Sequence, residues 1–478
     1  MDRLSGLDAS FLYFETPAHL MHVCGLLVLD PTTMPGEYSF DSFRDSVRKR
    51  LQNNPAFRRK LHSPLLNLDH PVWISDEEFD IEHHVRRITV PAPGEREQLA
   101  EVCGDIAGQP LDRSRPLWEF WVIEGIADGS IAIMTKMHHA TVDGVSGASL
   151  VSHLCSLEPD APPIASGDVD DHPRRPRDRD IVIDGLIGLA KRPLRFATVL
   201  PQTLGVLPDW VQRARRGAAM AAPFTAPRTS FNGTVTGHRA VAFARMNLAD
   251  VKEVKNAFGT TVNDVVLALC SGALRKYLDD RGELPESSLV GMVPVSVHGK
   301  TKRGGTNKVS GMFASLSSDI VDPVERLQAI AEQNRAAKEH HQTLSASLLQ
   351  DWAQFAAPNT FGLAVRVYST LRLADRHPVV HNLVISNVPG PPMPIYFLGA
   401  RIVGFYPFGP VFHGAGLNIT VLSNDGHLDV GINACRELAP NLWELADDLP
   451  IALDELLSVA RSQQPARSPK RTQPAAQA

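Results

Sequence analysis

The apolar run Ile131 to Met134, continuing through "TKMHHA", reads as a strand whose side chains alternate faces. Ile131, Ile133, Thr135, Met137 and His139 fall on one face of it, and Ala132, Met134, Lys136 and His138 on the other. "PLWEFWVIEG" just before it predicts a second strand, with "IADGS" as the hairpin turn between them. The period changes to helical spacing in "SFDSFRDSVRKRLQNN" and in "GEREQLAEVCGDIAGQPL". "FDIEHHVRRITV" reads as a strand region, a short apolar run covers Leu26 to Leu29, and "GASLVSHLCSL" reads as a helix.

The pattern stops between Glu158 and Asp180, where "EPDAPPIASGDVDDHPRRPRDRD" offers almost nothing to bury and predicts a solvated linker. Residues Ile181–Arg216 are apolar but broken by Pro193, Pro201 and Pro208, which predicts short kinked helices. Order resumes near Phe231. "HRAVAFARM", "LVGMVPVSV", "NKVSGMFASL", "NLVISNVPG" and "GLNITVLSNDGHLDVGINAC" read as strands. "LADVKEVKNAFG", "TVNDVVLALCSGALRKYLDDRG" and the stretch from Pro323 to Ala356 read as helices. The expected organisation is α+β: an N-terminal domain at 1–157, a linker with kinked helices at 158–228, a C-terminal domain at 229–460 and a disordered tail at 461–478.

Length agrees with two domains, since 478 residues exceed one ordinary core. A formal charge of -5 argues against a general nucleic-acid binder. The five cysteines are scattered, with no paired spacing, which fits buried thiols in a reducing compartment. No stretch reads as a signal peptide or as a spanning helix, so a cytoplasmic chain is expected.

Chemistry concentrates at "KMHHATVDGVSG". With 18 histidines and 34 glycines in the chain, a chance H-H-x-x-x-D-G arises on the order of a few times per thousand such sequences. Three readings fit the residues. Metal ligation requires both rings to converge on one ion, which strand alternation opposes. A general base suits a histidine, whose unperturbed pKa is ~6.5, with the second histidine, Asp143 and Gly144 shaping the loop. A buried polar cluster without chemistry is the third.

"HHATVDG" is similar to the HHxxxDG motif of the CoA-dependent acyltransferases. "LSGLDASFLYFETPAHLMHV", "PLWEFWVIEG", "FNGTVTGHRAVAF", "TVNDVVLALCSGALRKYL", "PVSV", "NLVISNVPGP" and "GLNITVLSNDGHLDVGI" resemble, in order, the bacterial wax ester synthase/diacylglycerol acyltransferase family. The resemblance implies two chloramphenicol-acetyltransferase-like domains with a tunnel at their interface. It implies direct acyl transfer from long-chain acyl-CoA, as substrate rather than cofactor, to diacylglycerol or a long-chain alcohol. His139 would be the catalytic base, His138 its support, and Asp143 and Gly144 the loop scaffold, with no metal. Asn263 is the oxyanion candidate, with helix-terminal amides; Asn263 and Asp264 serve equally well as helix caps. Asn418 and Thr420 are further oxyanion or substrate candidates. Pro116, Leu117 and Trp118 match the PLW motif near the expected acyl channel, or are plain core. His298 stands where many members carry arginine, and Lys302 or Arg303 could substitute. The partner surface expected is a membrane or lipid droplet, bound peripherally, with Ile181–Arg216 weighed as its anchor against an interdomain connector. Competing expectations are an acyltransferase for another lipid alcohol or a polyketide, and a non-enzymatic lipid-binding protein.

Overall fold

The computed structural model describes residues 2–51, 54–63, 70–141, 154–160, 220–222, 224–296, 309–343 and 358–463. In chain order its strands are β1 (Asp2–Arg3), β2 (His22–Asp30), β3 (Arg59–His62), β4 (Val72–Ser75), β5 (Val85–Thr89), β6 (Trp118–Glu124), β7 (Ile131–His138) and β8 (Cys155–Ser156). They continue as β9 (Arg239–Asn247), β10 (Val290–Ser296), β11 (Val309–Ser315), β12 (Leu383–Val388), β13 (Tyr396–Phe397), β14 (Ala400–Phe408), β15 (Leu417–Asn424) and β16 (His427–Cys435). The helices are α1 (Gly6–Phe14), α2 (Phe40–Leu51), α3 (Arg96–Ala107), α4 (Leu248–Phe258), α5 (Val262–Asp279), α6 (Pro323–Thr343), α7 (Pro358–Thr370) and α8 (Leu442–Gln463).

The alternation read along β7 is the alternation of its packing. Ile131 and Ile133 enter a core with Leu27 and Leu29 of β2 and with Phe43, Val47 and Leu51 of α2. Ala132 and Met134 enter a second core, against Leu99, Cys103 and Ile106 of α3. A sheet covered on both faces in this way carries helices of opposite sides on one strand set. Its order is β5-β6-β7-β2-β14-β13-β8. The second sheet runs β11-β10-β12-β15-β16-β9, and α4, α5, α6 and α8 contribute to its core. A small three-stranded sheet, β1-β4-β3, stands apart.

The C-terminal half contributes β13 and β14 to the N-terminal sheet. β14, from the C-terminal half of the chain, pairs antiparallel with β2 of the N-terminal half, with Cys24 opposite Phe408 and Asp30 opposite Arg401. Burial along β14 alternates without a break, one face inside and one part-exposed. The second contact between halves is α3 on β9, where Gly104 is required: a Cβ there would stand 2.7 Å from the Arg239 carbonyl oxygen. The sheets also cross closely where Gly431 of β16 meets Pro407 of β14, in space that no Cβ could share.

One expectation needs correction. Cys155 and Ser156 form a strand rather than the end of a helix, because they pair with Phe397 and Tyr396 at the sheet edge and those bonds override local helical spacing. The long helical stretch from Pro323 is described as helix to Thr343, with residues 344–357 outside the described residues. The helix α8 and the strand β14 were not anticipated. The linker, Ile181–Arg216, His298, Lys302, Arg303 and the tail from 464 lie outside the described residues. Among the described residues no single helix is long and apolar enough to cross a membrane.

Candidate active site

His138 is the last residue of β7, and its register places it opposite His22 of β2. Its backbone N–H donates to the Leu117 carbonyl at 3.0 Å. The chain turns at once: the Thr141 N–H and hydroxyl both donate to the His138 carbonyl, at 2.9 and 2.7 Å. The His138 side chain is 0% exposed. Its Nδ1 accepts from the Ala140 N–H at 3.0 Å. A neutral imidazole that accepts at Nδ1 carries its proton on Nε2, and here Nε2 points toward Glu15, 3.6 Å from Oε2.

Glu15 follows α1 directly and sits between two histidines. Its Oε1 is 3.2 Å from Nε2 of His22. Arg113 donates to its Oε2 through Nε at 3.1 Å and also through Nη2, while that same Nη2 donates to the Leu12 carbonyl at 2.8 Å. Burial opposes charge on Glu15, but the facing rings of His138 and His22 and the nearby charge of Arg113 outweigh it. The carboxyl is held well below the usual carboxylate range. His22 in turn is pushed down to about 4 by burial, against the pull of Glu15. A buried carboxylate thus orients His138 from behind.

His139 engages different neighbours. Its backbone N–H donates to the Met21 carbonyl at 2.8 Å, extending the β2 contact past the end of β7. Its half-buried ring stacks on Phe11 of α1, with centroids 4.1 Å apart and planes at 25°. Burial pushes its pKa down to about 4, His138 adds to the lowering, and the charge of Asp8 opposes it. His139 is therefore neutral at physiological pH and able to accept a proton. The two imidazoles divide between separate sets of partners, as the strand pattern implied. Among the described residues no group of three His, Cys, Asp or Glu side chains could hold a metal ion.

The strand below the pair is pinned by a buried ion pair. Lys136 lies fully buried, with Nζ 3.0 Å from Oε2 of Glu119, its cross-strand partner on β6. Nζ also donates to the carbonyls of Ile106 and Gln109, so the ammonium is satisfied.

The other candidates are placed as follows. Leu117 packs with Leu4, Leu12 and Ala140 beside the histidine turn. Pro116 is buried, and its carbonyl accepts the Trp118 N–H at 2.9 Å. Trp118 is buried too: its indole donates to the Phe57 carbonyl at 2.9 Å, and its ring stacks on His84 with centroids 4.5 Å apart. Asp264 is the N3 residue of a capping box with Thr261 and accepts from Asn334 at 2.8 Å, so its oxygens serve the start of α5. Asn263, beside it, is half-buried. Asn418 donates to the Pro410 carbonyl at 3.1 Å and accepts from Thr420 at 2.8 Å. None of these contacts joins Asn418, Thr420 or Asp264 to the histidines. Asp143 and Gly144 lie outside the described residues. All five cysteines are buried, and burial raises Cys24, Cys155 and Cys270 to about 12, far from a reactive thiolate.

The sequence reading singled out none of Glu15, His22, Asp8, Phe11 or Arg113. The first four lie in the N-terminal stretch noted for resemblance, yet their spacing carries no motif that would have flagged them.

The model of the wax ester synthase/diacylglycerol acyltransferase catalytic domain matches residues 4–266, and that of the family's C-terminal domain matches residues 305–457. A Mycobacterium tuberculosis protein named as a diacylglycerol O-acyltransferase is 50% identical over 470 residues, covering 97% of this chain and 91% of its own. A second from the same organism is 35% identical, covering 95% and 99%. Among solved structures, the wax ester synthase/diacylglycerol acyltransferase from Marinobacter aquaeolei VT8 superposes with a TM-score of 0.70 at 31% identity, over 96% of this chain and all of that one. The first condensation domain of the calcium-dependent antibiotic synthetase matches at a TM-score of 0.54 and 13% identity, over 96% and 95%, a likeness of fold alone. The expected α+β fold of two acetyltransferase-like domains is borne out by these matches.

Proposed function

We propose that this chain, which belongs to the wax ester synthase/diacylglycerol acyltransferase family, joins a long-chain acyl group from acyl-CoA to the free hydroxyl of diacylglycerol, with His139 as the general base. That it is an O-acyltransferase follows from the family. The observation that carries the residue assignment is the division of the histidine pair. His138 is locked between Ala140 and Glu15, while His139 is neutral, half-buried and turned onto Phe11.

In this reading the His139 imidazole takes the proton of the acceptor hydroxyl as its oxygen attacks the thioester carbonyl. The tetrahedral intermediate collapses, the C–S bond breaks, and the proton passes to the departing CoA thiolate. The charge of Asp8 favours the imidazolium formed on the way. Asn263 remains the candidate donor to the oxyanion, since Asp264, Asn418 and Thr420 are committed to other partners. Both substrates meet in a passage between the two halves, and no acyl-enzyme is required.

The relatives' names favour diacylglycerol as acceptor, and the wax ester synthase part of the Marinobacter protein's name supports a long-chain alcohol as a second acceptor. The test uses purified protein with palmitoyl-CoA and either dioleoylglycerol or hexadecanol, with CoA release as readout. Dioleoylglycerol turnover above that with hexadecanol is expected. His139→Ala lowers turnover by ~10²–10⁴-fold while the thermal unfolding profile is retained. A variant as active as the parent excludes the base role. Lipid binding without turnover on any alcohol supports the non-enzymatic alternative instead.

A further inference from the structure

We propose that the outer face of α7 is the surface by which this protein docks flat on an anionic lipid bilayer. Leu363, Val367 and Leu371 are 62%, 45% and 52% exposed. They stand four residues apart, so at 3.6 residues per turn they form one stripe. The remaining exposed large apolar side chains among the described residues are far apart in sequence. The opposite face of α7 is already occupied: Phe361 meets Phe14 of α1 edge-on at 4.8 Å, and the Tyr368 hydroxyl lies 2.5 Å from Nε2 of His377. A helix that is packed on one side and still apolar on the other has a second partner to satisfy.

Charge identifies that partner. Arg366 on α7 and Arg372 and Arg376 just after it are exposed, and Asp375 is the single acid between Pro358 and His377. Three arginines against one aspartate leave a net +2 along this segment. Arg372 pairs with Asp375 at 2.8 Å. An apolar stripe with arginines beside it and just after it is the composition of an interfacial helix on an anionic membrane. A protein partner offers no comparable reason for like charges there. Place strengthens the case. α7 packs on α1, and α1 carries Phe11 against His139. One helix layer, with an interaxial distance of ~8–10 Å, then separates the docking face from the helix that covers the proposed base.

The choice of lipid rests on the acyl-transfer reading, but binding is measured separately from turnover. Full-length protein is floated with vesicles of phosphatidylcholine alone or with phosphatidylglycerol added, at low and high salt. The parent is expected to float with the anionic vesicles and to be released by salt. The triple variant L363S/V367S/L371S should lose about tenfold or more in partition, and R366S/R376S about tenfold on anionic vesicles only. Circular dichroism melts confirm that both variants fold, and turnover of hexanoyl-CoA with a short soluble alcohol is unchanged in each. Flotation of the triple variant equal to the parent overturns the proposal. So does a parent that does not float but self-associates through this face, with the triple variant monomeric in light scattering. A parent that floats through α7 yet turns over no substrate leaves the docking surface standing and refutes the acyl-transfer reading alone.

Discussion

Replacing Glu15 by alanine removes a charge that touches no substrate, and the consequence can be worked from its contacts. The carboxylate faces Nε2 of His22 at 3.2 Å and Nε2 of His138 at 3.6 Å, both on buried rings. Neither Nε2 meets hydrogen-bond geometry toward it, so deletion removes an ionic contact to two buried rings, on the order of 1–3 kcal/mol in all. The guanidinium of Arg113 is half-exposed and keeps water, so it adds little. Relief of the carboxylate's desolvation offsets part of this loss, and a net loss of about 1–2 kcal/mol is still a sizeable share of the 5–15 kcal/mol typical of a domain. His138 then loses its anchor, and His139 is the next residue. A displacement of about 1 Å at the base costs on the order of 10²-fold in kcat with KM little changed. Denaturant unfolding and steady-state kinetics on the same preparations measure both. Glu15→Asp, shorter by one methylene, should reach one imidazole and recover part of each loss. Because Glu15 is ionised far below its ordinary value of 4.5, its contribution is present above that pH and fades as pH falls toward the folded value; the alanine variant should show a flatter acid limb. Parental stability together with parental kcat in Glu15→Ala would falsify the account of the histidine pair.

Acid should also act through buried neutral imidazoles. Burial, with the charges of His413 and Arg239, pushes His19 down to about 3, and burial pushes His22 to about 4. Both are neutral when folded and protonate near 6.5 when unfolded, so their contribution is complete above ~6.5 and falls as pH drops below it, by at most about 1.4 kcal/mol per pH unit each. Unfolding midpoints measured across that range should shift accordingly, and His19→Phe should shallow the slope; a midpoint independent of pH would contradict the burial argument. At the sheet crossing, Gly431→Ala places a Cβ against the Pro407 carbonyl and should cost about 1–3 kcal/mol. A melting temperature equal to the parent's would mean that β14 and β16 slide apart without resistance.

Much of the architecture was legible because it is periodic. β7 could be assigned to faces residue by residue, and Ile131 and Ala132 do enter different cores. The separation of His138 from His139 follows from the same alternation. β14 has an equally regular pattern, yet it went unread because Gly404 interrupts its buried side and Pro407, on the other face, reads as a strand breaker. α8 was missed around Pro450, which the helix accommodates in its interior. Which strand pairs with which is a different kind of fact. Nothing local to residues 400–408 names β2 as partner, since pairing is decided by the sum of the packing. Glu15 shows the same limit at the site: its role depends on two histidines, His22 and His138, that share no motif with it.

The place of β14 in the N-terminal sheet sets a timetable for biosynthesis. β2 positions Met21 and His22 against the histidine turn, and its other edge is filled by β14, whose last residue is Phe408. A ribosome that has just completed the histidine motif must still add some 270 residues before that edge can be paired, which takes roughly 15 to 55 seconds at elongation rates of about 5–20 residues per second. During that interval β2 offers an unpaired, largely apolar edge, the kind of surface on which nascent chains associate wrongly. The β2 edge beside the proposed catalytic turn is therefore completed only after the C-terminal half has been made.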